Sequence, residues 1–396
     1  MKARPALELW ASNVPSSVKG GGSTWNAASQ EPPTEALEVE GEGRSGLVET
    51  EADLDCGNSG TSMRLLAGLL ASSPFRSRLV GDASLSVRPM ERVAAPLRRM
   101  GAGLVTTDGH APVEVFGADL RGVEHRLDVP TAQVKGAILL AGTAAEGETL
   151  VVEPSSTRDH TERALAALGA PVRVQGTSIA VSRFQHDGFE ASVPGDISSA
   201  AFLIGAAVLA RAPLTIDGVG LNPTRTRYLD VLSRMGVQAD ITVTEEQLGE
   251  PVGRIEVRPD VLLRGTTVDE AELPGVIDEI PLLAAVASHA AGESWFLGAQ
   301  ELRVKETDRL TLLAEGIRSL GGHAAAEADD LVIAGGGLRG GVASSSGDHR
   351  LAMAFAVAGV GADAPCEVDG VEVADVSFPG FLGALRSIGA DVEPVS

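Results

Sequence analysis

A short phrase that recurs along the 396-residue sequence constrains the fold more than any other feature. Each copy is an apolar helical stretch that ends in Gly, usually followed by Ala or Val, as in RALAALGA at residues 163–170. A terminal Gly favours a helix C-cap in the left-handed conformation. β-like stretches follow, for example at residues 172–182 and 323–334, so the sequence predicts a repeat of helix, Gly cap and strand pair. The terminal glycines, at spacings of 68, 67, 85 and 68 residues, are Gly101, Gly169, Gly236, Gly321 and Gly389.

The start of the chain departs from this repeat. One period before Gly101 lies Pro33, within SQEPPT, where two prolines are incompatible with a helix end. Residues 37–43, LEVEGEG, nevertheless resemble the strand that should follow such a helix. We therefore expect an incomplete first repeat, preceded by an atypical and poorly ordered segment over residues 1–35. The alternative is that these first residues are a natural extension of the chain.

Length and composition predict two domains of α/β (α+β) type. With 44% hydrophobic residues, a chain of 396 residues can bury two cores, each in a domain of about 150–200 residues. Aromatic residues make up only 3% of the chain, which suits short strands and closely packed helices of small residues. We expect a first domain over residues 36–192 and a second over residues 193–396.

Charge, cysteine content and hydropathy exclude several classes of function. The formal net charge of −22 argues against nucleic acid or an anionic membrane as a partner, although a few basic residues can still make a cleft locally positive. The longest apolar runs, such as residues 200–210, are about half the length of a membrane span. The two cysteines lie far apart, and the first residues lack the apolar core of a secretory signal. We expect a cytoplasmic protein.

Several loops in the first half carry polar residues at the start of an apolar helix. Residues 55–64, DCGNSGTSMR, offer glycine backbone N–H groups and a helix N-terminus to an anion, although the same letters also form an ordinary turn and N-cap. Residues 131–135 (TAQVK), 156–162 (STRDHTE) and 193–200 (VPGDISSA) repeat the theme. An anion site is predicted if these loops converge.

Acidic and basic residues recur together in the second half. IDEIP at residues 277–281 precedes an apolar run, ELRVKETDRL occupies residues 301–310, and GDHRLAM occupies residues 347–353. A charge run of this kind is usually a solvated helix face, and Glu306 could simply support neighbouring cations at helical spacing. Against this interpretation, acid, base and guanidinium groups recur together across these segments.

Taken in order, these motifs resemble those of 5-enolpyruvylshikimate-3-phosphate synthases. The matching phrases include DCGNSGTSMR, SLSVRPMERV, AQVKGAILLAG, TRDHTERAL, VPGDISSAAF, NPTRT, IDEIP, LRVKETDRL, DHRLAM and SFPGF, from about residue 37 to the C-terminus. The resemblance implies a two-domain enolpyruvyl transferase fold, each domain built from βαβαββ repeats. It also implies transfer of the enolpyruvyl group from phosphoenolpyruvate to the 5-hydroxyl of shikimate 3-phosphate, with release of phosphate. The related UDP-N-acetylglucosamine enolpyruvyl transferases share the fold, but their reactive cysteine loop has no equivalent here.

The resemblance also implies roles for individual residues. Asp278 would accept the proton of the 5-hydroxyl, and Glu306 would assist proton transfer at the methylene carbon. No metal or cofactor is implied, and we expect a monomer whose partners are its small-molecule substrates. The residues implied for shikimate 3-phosphate are Thr131, Ala132, Gln133, Arg158, Asp278 and Lys305. The residues implied for phosphoenolpyruvate are Gly60, Arg88, Gln133, Arg309 and Arg350.

The N-terminal residues do not match the family pattern. Family members begin with a strand, a Pro-Gly-(Ser/Asp)-Lys-Ser loop and a helix with an Arg, whereas the nearest phrase here is VPSSVK at residues 14–19, followed by Gly residues. We therefore assign no role to Lys19. Two hypotheses stay open at this point: an active transferase, and a catalytically impaired homologue that at most binds shikimate 3-phosphate.

Overall fold

A computed structural model describes residues 17–20, 43–258 and 262–393 of the chain. The predicted N-terminal segment, residues 1–35, lies outside the described residues except for strand β1 (Ser17–Gly20). The chain divides into two compact units, of which the first contains Glu35–Ala191 and the second contains Ser192–Gln247 and Pro251–Ser396. Among the described residues, none of the helices has both the length and the apolar character needed to cross a membrane.

The first unit contains two copies of one pattern, strand, helix, strand, helix and a strand pair. In both copies the first two strands are parallel and the others antiparallel, and the sheet orders are β2-β3-β5-β4 and β6-β7-β9-β8. The first copy consists of β2 (Leu54–Asp55), α1 (Gly60–Leu70), β3 (Arg76–Val80), the short α2 (Ala83–Ser86), α3 (Glu91–Met100), β4 (Gly103–Thr107) and β5 (His110–Phe116). The second consists of β6 (Glu124–Arg126), α4 (Ala132–Gly142), β7 (Thr149–Val152), α5 (His160–Ala167), β8 (Val172–Gln175) and β9 (Ser178–Val181).

The second unit continues the pattern with sheet orders β1-β10-β12-β11, β13-β14-β16-β15 and β17-β18. Its first repeat is α6 (Ile197–Leu209), β10 (Leu214–Gly220), α7 (Arg227–Arg234), β11 (Gln238–Gln247) and β12 (Glu250–Arg258). The next is β13 (Thr267–Val268), α8 (Ile280–Ala287), β14 (Glu293–Phe296), α9 (Arg309–Ser319), β15 (His323–Glu327) and β16 (Asp330–Ala334). The last is β17 (Gly341–Ser344), α10 (His349–Val360), β18 (Cys366–Asp369) and α11 (Phe381–Ser387).

The sheet that contains β1 differs from the others at its edge. β1 pairs antiparallel with β10, whereas the corresponding outer pairs of the other sheets are parallel. A single parallel bridge between Gly195 and Val219 stands where the first strand of that repeat should be. β11 and β12 have 10 and 9 residues, and their length explains part of the wider spacing between Gly236 and Gly321.

The predicted glycine caps are confirmed at all five positions. Each Gly comes within two residues of the end of α3, α5, α7, α9 or α11 and has a positive φ, between 81° and 114°. A side chain with a Cβ is strained in this conformation, so Gly ends the helix and turns the chain towards the next strand. Strand pairs follow four of the five glycines. After Gly389 the described residues, up to residue 393, form no strand, so the prediction was wrong there.

Largely apolar helices form the centre of each unit. Every residue of α8 is buried, and α6 and α10 pack against it. In the first unit α1 packs on α4 so closely that a Cβ at Gly68 would lie 2.2 Å from the carbonyl oxygen of Ala137. A helix buried on all sides meets solvent only at its ends. The polar motifs that precede these helices are therefore where ligands can be bound.

Candidate active site

The loop before α1 brings a glycine backbone next to two arginine side chains. Ser59 caps the helix by accepting a hydrogen bond from the Ser62 N–H at 3.1 Å, so the capping interpretation of this motif is confirmed. A Cβ on the next residue, Gly60, would lie 2.8 Å from Arg64 Nη1 and 3.6 Å from Arg88 Nη1. A larger residue would displace the Arg64 guanidinium. The N-terminal end of the helix dipole adds to the positive potential there.

Arg64 is a functional candidate that the sequence reasoning did not select. Its guanidinium donates hydrogen bonds to Gln133 Oε1 and, at 3.1 Å, to the carbonyl oxygen of Pro89. Burial, together with the positive charges of Arg88 and Arg92, lowers the pKa of Arg64 to about 10. Arg64 therefore keeps its charge at neutral pH inside a concentrated positive patch. The available signal was its position in DCGNSGTSMR, one helical turn after the glycine.

The start of α4 lies against the start of α1. Gln133 Nε2 donates to Thr61 Oγ1 at 2.7 Å, which joins the first turns of the two helices. Thr131 is the N-cap residue of α4, but its side chain makes no capping hydrogen bond. The structure thus places Thr131, Ala132 and Gln133 on a helix end that adjoins Gly60.

The other two predicted residues of this unit lie in loops. Arg88 follows α2 and donates from Nη2 to Asn58 Oδ1 at 2.9 Å and to Ser84 Oγ at 3.4 Å. Arg158 is half-buried in the loop between β7 and α5, two residues before the helix begins. The first unit therefore carries the predicted Gly60, Arg88, Gln133 and Arg158 on loops and helix starts, as the sequence predicts.

In the second unit, the two predicted proton-transfer residues lie beside cations. Asp278 precedes α8, and its Oδ1 lies 3.4 Å from Lys305 Nζ. Glu306 directly follows Lys305 in the chain, and its Oε2 lies 2.6 Å from Arg309 Nη2. The interpretation of Glu306 as a partner of a cation three residues later is therefore confirmed. It is also compatible with a chemical role, because Glu306 is only partly buried.

Arg309 and Asp348 form a fully buried, two-point ion pair. The Nε–Oδ2 distance is 2.7 Å, the Nη2–Oδ1 distance is 3.1 Å, and the side chains are 1% and 0% exposed. Asp348 also caps α10 by accepting from the N–H of Arg350 at 2.9 Å. Burial alone would raise the pKa of Asp348, but the charge and hydrogen bonds of Arg309 keep it below its usual value. One carboxylate thus orients the guanidinium of Arg309 and fixes the backbone of Arg350.

Arg350 extends from the first turn of α10 towards the residues before α8. Its Nη1 donates to the carbonyl oxygen of Asp278 at 2.6 Å and lies 3.9 Å from Glu279 Oε1. Burial would lower the pKa of Arg350, but the negative charges of Asp278 and Glu279 raise it above its usual value. Arg350 is therefore a permanent cation beside the proposed base.

Glu279 is a buried carboxylate to which the sequence reasoning gave no role. It is 1% exposed, accepts from Ser198 Oγ at 2.5 Å and lies 3.8 Å from Arg225 Nη2. Burial raises its pKa, and Arg225 and Arg350 partly offset this effect. Ser198, Arg225 and Glu279 stand in VPGDISSA, NPTRT and IDEIP, so their motifs were visible. The sequence could not show that these three residues come together, because their contact depends on how α6 and α8 pack.

His349 lies between Asp348 and Arg350 in sequence and does not add a positive charge to those of Arg309 and Arg350. Burial and the charges of Arg350 and Arg309 lower its pKa to about 4. The imidazole is therefore neutral at neutral pH and can exchange hydrogen bonds without adding to the field of the arginines.

Comparison with known proteins identifies the family. A sequence model described as EPSP synthase (3-phosphoshikimate 1-carboxyvinyltransferase) matches residues 25–385. A protein named 3-phosphoshikimate 1-carboxyvinyltransferase from Acidithiobacillus ferrooxidans is 46% identical over 362 residues, which cover 91% of this chain and 83% of that protein. One of the same name from Halorhodospira halophila is 48% identical over 363 residues, covering 90% of this chain and 82% of that protein.

Solved structures give the same result for the fold. Two structures of EPSP synthase from Acinetobacter baumannii match with TM-scores of 0.80, at 38% and 36% identity. They cover 97% and 98% of this chain and 93% of each of their own chains. The predicted enolpyruvyl transferase fold is confirmed, and the chain belongs to the EPSP synthase family.

Proposed function

We propose that this chain transfers the enolpyruvyl group of phosphoenolpyruvate to the 5-hydroxyl of shikimate 3-phosphate and releases inorganic phosphate. One observation carries the proposal: the second unit groups two carboxylates, Asp278 and Glu306, with the cations Lys305, Arg309 and Arg350. A reaction that moves protons between two anionic substrates needs both kinds of group. Family membership supplies the substrates, and the comparisons give no support to a catalytically impaired homologue.

The cations hold and polarise the substrates. Guanidinium groups pair with phosphate and carboxylate through two parallel hydrogen bonds, which suits Arg309 and Arg350 to phosphoenolpyruvate. In the first unit, Gly60, Arg88 and Gln133 are proposed for the same substrate. The proposed ligands of shikimate 3-phosphate are Thr131, Ala132, Gln133, Arg158, Asp278 and Lys305.

Two carboxylates move the protons. Asp278 takes the proton of the 5-hydroxyl as that oxygen forms a bond to carbon 2 of phosphoenolpyruvate. Carbon 3 takes up a proton with the assistance of Glu306, which gives a tetrahedral intermediate. In the second step carbon 3 returns a proton to Glu306, the double bond forms again, and phosphate leaves with the electrons of its bond to carbon 2. Lys305 beside Asp278 and Arg309 beside Glu306 keep positive charge close to both transfers.

A phosphate-release assay tests the proposal. Purified protein with both substrates should release phosphate, and omission of either substrate should abolish the release. UDP-N-acetylglucosamine in place of shikimate 3-phosphate should give none. Absence of release with the correct pair would favour the impaired homologue, and release with the nucleotide sugar would assign the chain to the related transferases. The cytoplasmic location, the monomeric state and the lack of a cofactor stay predictions.

A further inference from the structure

Lys135 is a buried cation whose two partners lie on either side of the Arg158 loop. It stands in the first turn of α4 and is 1% exposed. Its Nζ lies 3.0 Å from Glu153 Oε2 and 2.7 Å from Glu162 Oε1, and both carboxylates are buried. Glu153 directly follows β7, and Glu162 lies in the first turn of α5. The loop of residues 154–159 is therefore tied to α4 at both of its ends.

The residue before Arg158 adds a third connection. Thr157 Oγ1 donates a hydrogen bond to Glu153 Oε1, the oxygen that Lys135 does not bind. The carboxylate of Glu153 thus joins the helix that carries Thr131 and Gln133 to the backbone next to Arg158. A shift of the carboxylate would move Thr157 and, with it, the direction in which Arg158 points.

The helices around this cluster fit too closely to accommodate a different arrangement. A Cβ on Gly136 would lie 2.8 Å from Thr161 Oγ1 and 3.0 Å from Leu65 Cδ2, so α4 meets both α5 and α1 without spare room. Glu162 has one carboxylate oxygen that is buried with no hydrogen-bond partner among the described residues. Burial raises the pKa of Glu162, and Lys135 only partly offsets this. Lys135 nevertheless holds both carboxylates, Glu162 at 2.7 Å and Glu153 at 3.0 Å.

We propose that Lys135 is a positioning residue for shikimate 3-phosphate: through Glu153 and Thr157 it sets Arg158 in register with Thr131 and Gln133. The inference rests on the proposed function, because it takes these three residues as ligands of that substrate. It predicts a larger effect on shikimate 3-phosphate than on phosphoenolpyruvate, since Arg158, which the cluster positions through Thr157, is proposed for shikimate 3-phosphate alone. A purely structural ion pair would affect both substrates equally or affect only stability.

Three variants of the full chain test the proposal. Lys135→Met should weaken the binding of shikimate 3-phosphate about tenfold, because a small misplacement of a ligand-holding group has a large effect. Thr157→Val leaves the buried ion pair in place and should weaken the same binding by a smaller factor. Ile138→Ala, one turn further along α4 and buried, is the control that lowers stability without touching the cluster. Binding is measured by calorimetry with shikimate 3-phosphate alone, and KM is measured for both substrates.

The expected result is a rise in the Kd and KM for shikimate 3-phosphate in the first two variants, with the KM for phosphoenolpyruvate within about twofold of the parent. Ile138→Ala should leave the ratio of the two KM values unchanged. Should Lys135→Met fail to fold, Thr157→Val decides by itself. Parental Kd values in the folded variants, or equal changes in both KM values, would overturn the inference alone. A parent that neither binds shikimate 3-phosphate nor releases phosphate would overturn the proposed function as well.

Discussion

Replacing Asp348 with Asn should destabilise the protein and weaken its use of phosphoenolpyruvate. The substitution keeps the size of the side chain and its ability to cap α10, but it removes the charge that faces Arg309. Arg309 is 1% exposed, so it cannot recover the lost interaction from water. Removing one partner of a buried ion pair costs about 3–5 kcal/mol.

Two features place the expected cost of Asp348→Asn at the lower end of this range. Glu306 Oε2 stays 2.6 Å from Arg309 Nη2 and continues to neutralise part of its charge. Asn is also nearly as good an N-cap as Asp, so the hydrogen bond to the Arg350 N–H is retained. We therefore expect a loss of about 3 kcal/mol, a large share of the roughly 5–15 kcal/mol that stabilises a typical domain.

A matched control exists in the same unit. Asp308 caps α9 by accepting from the Thr311 N–H at 3.1 Å and pairs with Arg303 at 3.0 Å, as Asp348 does with Arg309. The Asp308–Arg303 pair is exposed, however, with side chains 42% and 32% accessible. Asp308→Asn should therefore cost no more than about 1 kcal/mol.

Urea unfolding at pH 7, followed by circular dichroism, measures the free energy of unfolding of Asp348→Asn and of Asp308→Asn. The pKa of Asp348 is lower in the folded state than in the unfolded chain, where it is about 3.9. The ionised carboxylate therefore stabilises the fold fully above the unfolded-state pKa, and this stabilisation is lost as the pH falls through the folded-state pKa. The difference between parent and Asp348→Asn should be constant from pH 5 to 8 and shrink in more acidic solution. The reasoning is refuted if Asp348→Asn costs no more than Asp308→Asn.

Three further outcomes are expected. Asp278→Asn should lower kcat by about 10²–10⁴-fold with an unchanged melting temperature, because the amide keeps the shape and loses the base; a fall in stability with activity spared would mean that Asp278 is only a structural residue. Arg350→Ala should weaken phosphoenolpyruvate binding in calorimetry by about 2–5 kcal/mol, and parental affinity would contradict its assignment. His125 is 1% exposed, neither ring nitrogen has a hydrogen-bond partner among the described residues, and burial and Arg99 lower its pKa to about 4. Folding therefore opposes its protonation, so between pH 7 and 5 the parent should lose about 2 kcal/mol more stability than His125→Leu; parallel pH profiles would show that His125 is not responsible.

The repeat could be predicted from the sequence because its signals are local. A Gly that must be left-handed at a helix end needs no knowledge of the rest of the fold, and all five such glycines were recognised. The Gly195 bridge and the antiparallel β1 were not foreseen. Tertiary packing determines which strands pair, and segments as short as the Gly195–Val219 bridge or the four-residue β1 carry too little sequence signal to predict their partners.

The predicted site residues could be placed on helix starts, but their partners could not be identified. In sequence, Asp348 is one acidic residue in DHR, and a solvated position was as good an interpretation as a buried one. Its importance follows from the position of α10 beside the start of α9, which brings Arg309 within 2.7 Å. Glu279 and Arg225 are likewise 54 residues apart in the chain and meet only in the folded unit.

The partners of a buried cation indicate what that cation can do. Lys135 has two carboxylates within 3.0 Å, so its charge is already balanced and it can act only on the positions of its neighbours. Arg64 donates instead to neutral acceptors, the Gln133 amide oxygen and the Pro89 carbonyl oxygen, in a region where Arg88 and Arg92 lower its pKa. Mutual repulsion of guanidinium groups makes such a cluster unfavourable unless an anion binds there. This contrast distinguishes Lys135, which positions its neighbours, from Arg64, and the sequence could not provide it because it depends on contacts between residues far apart.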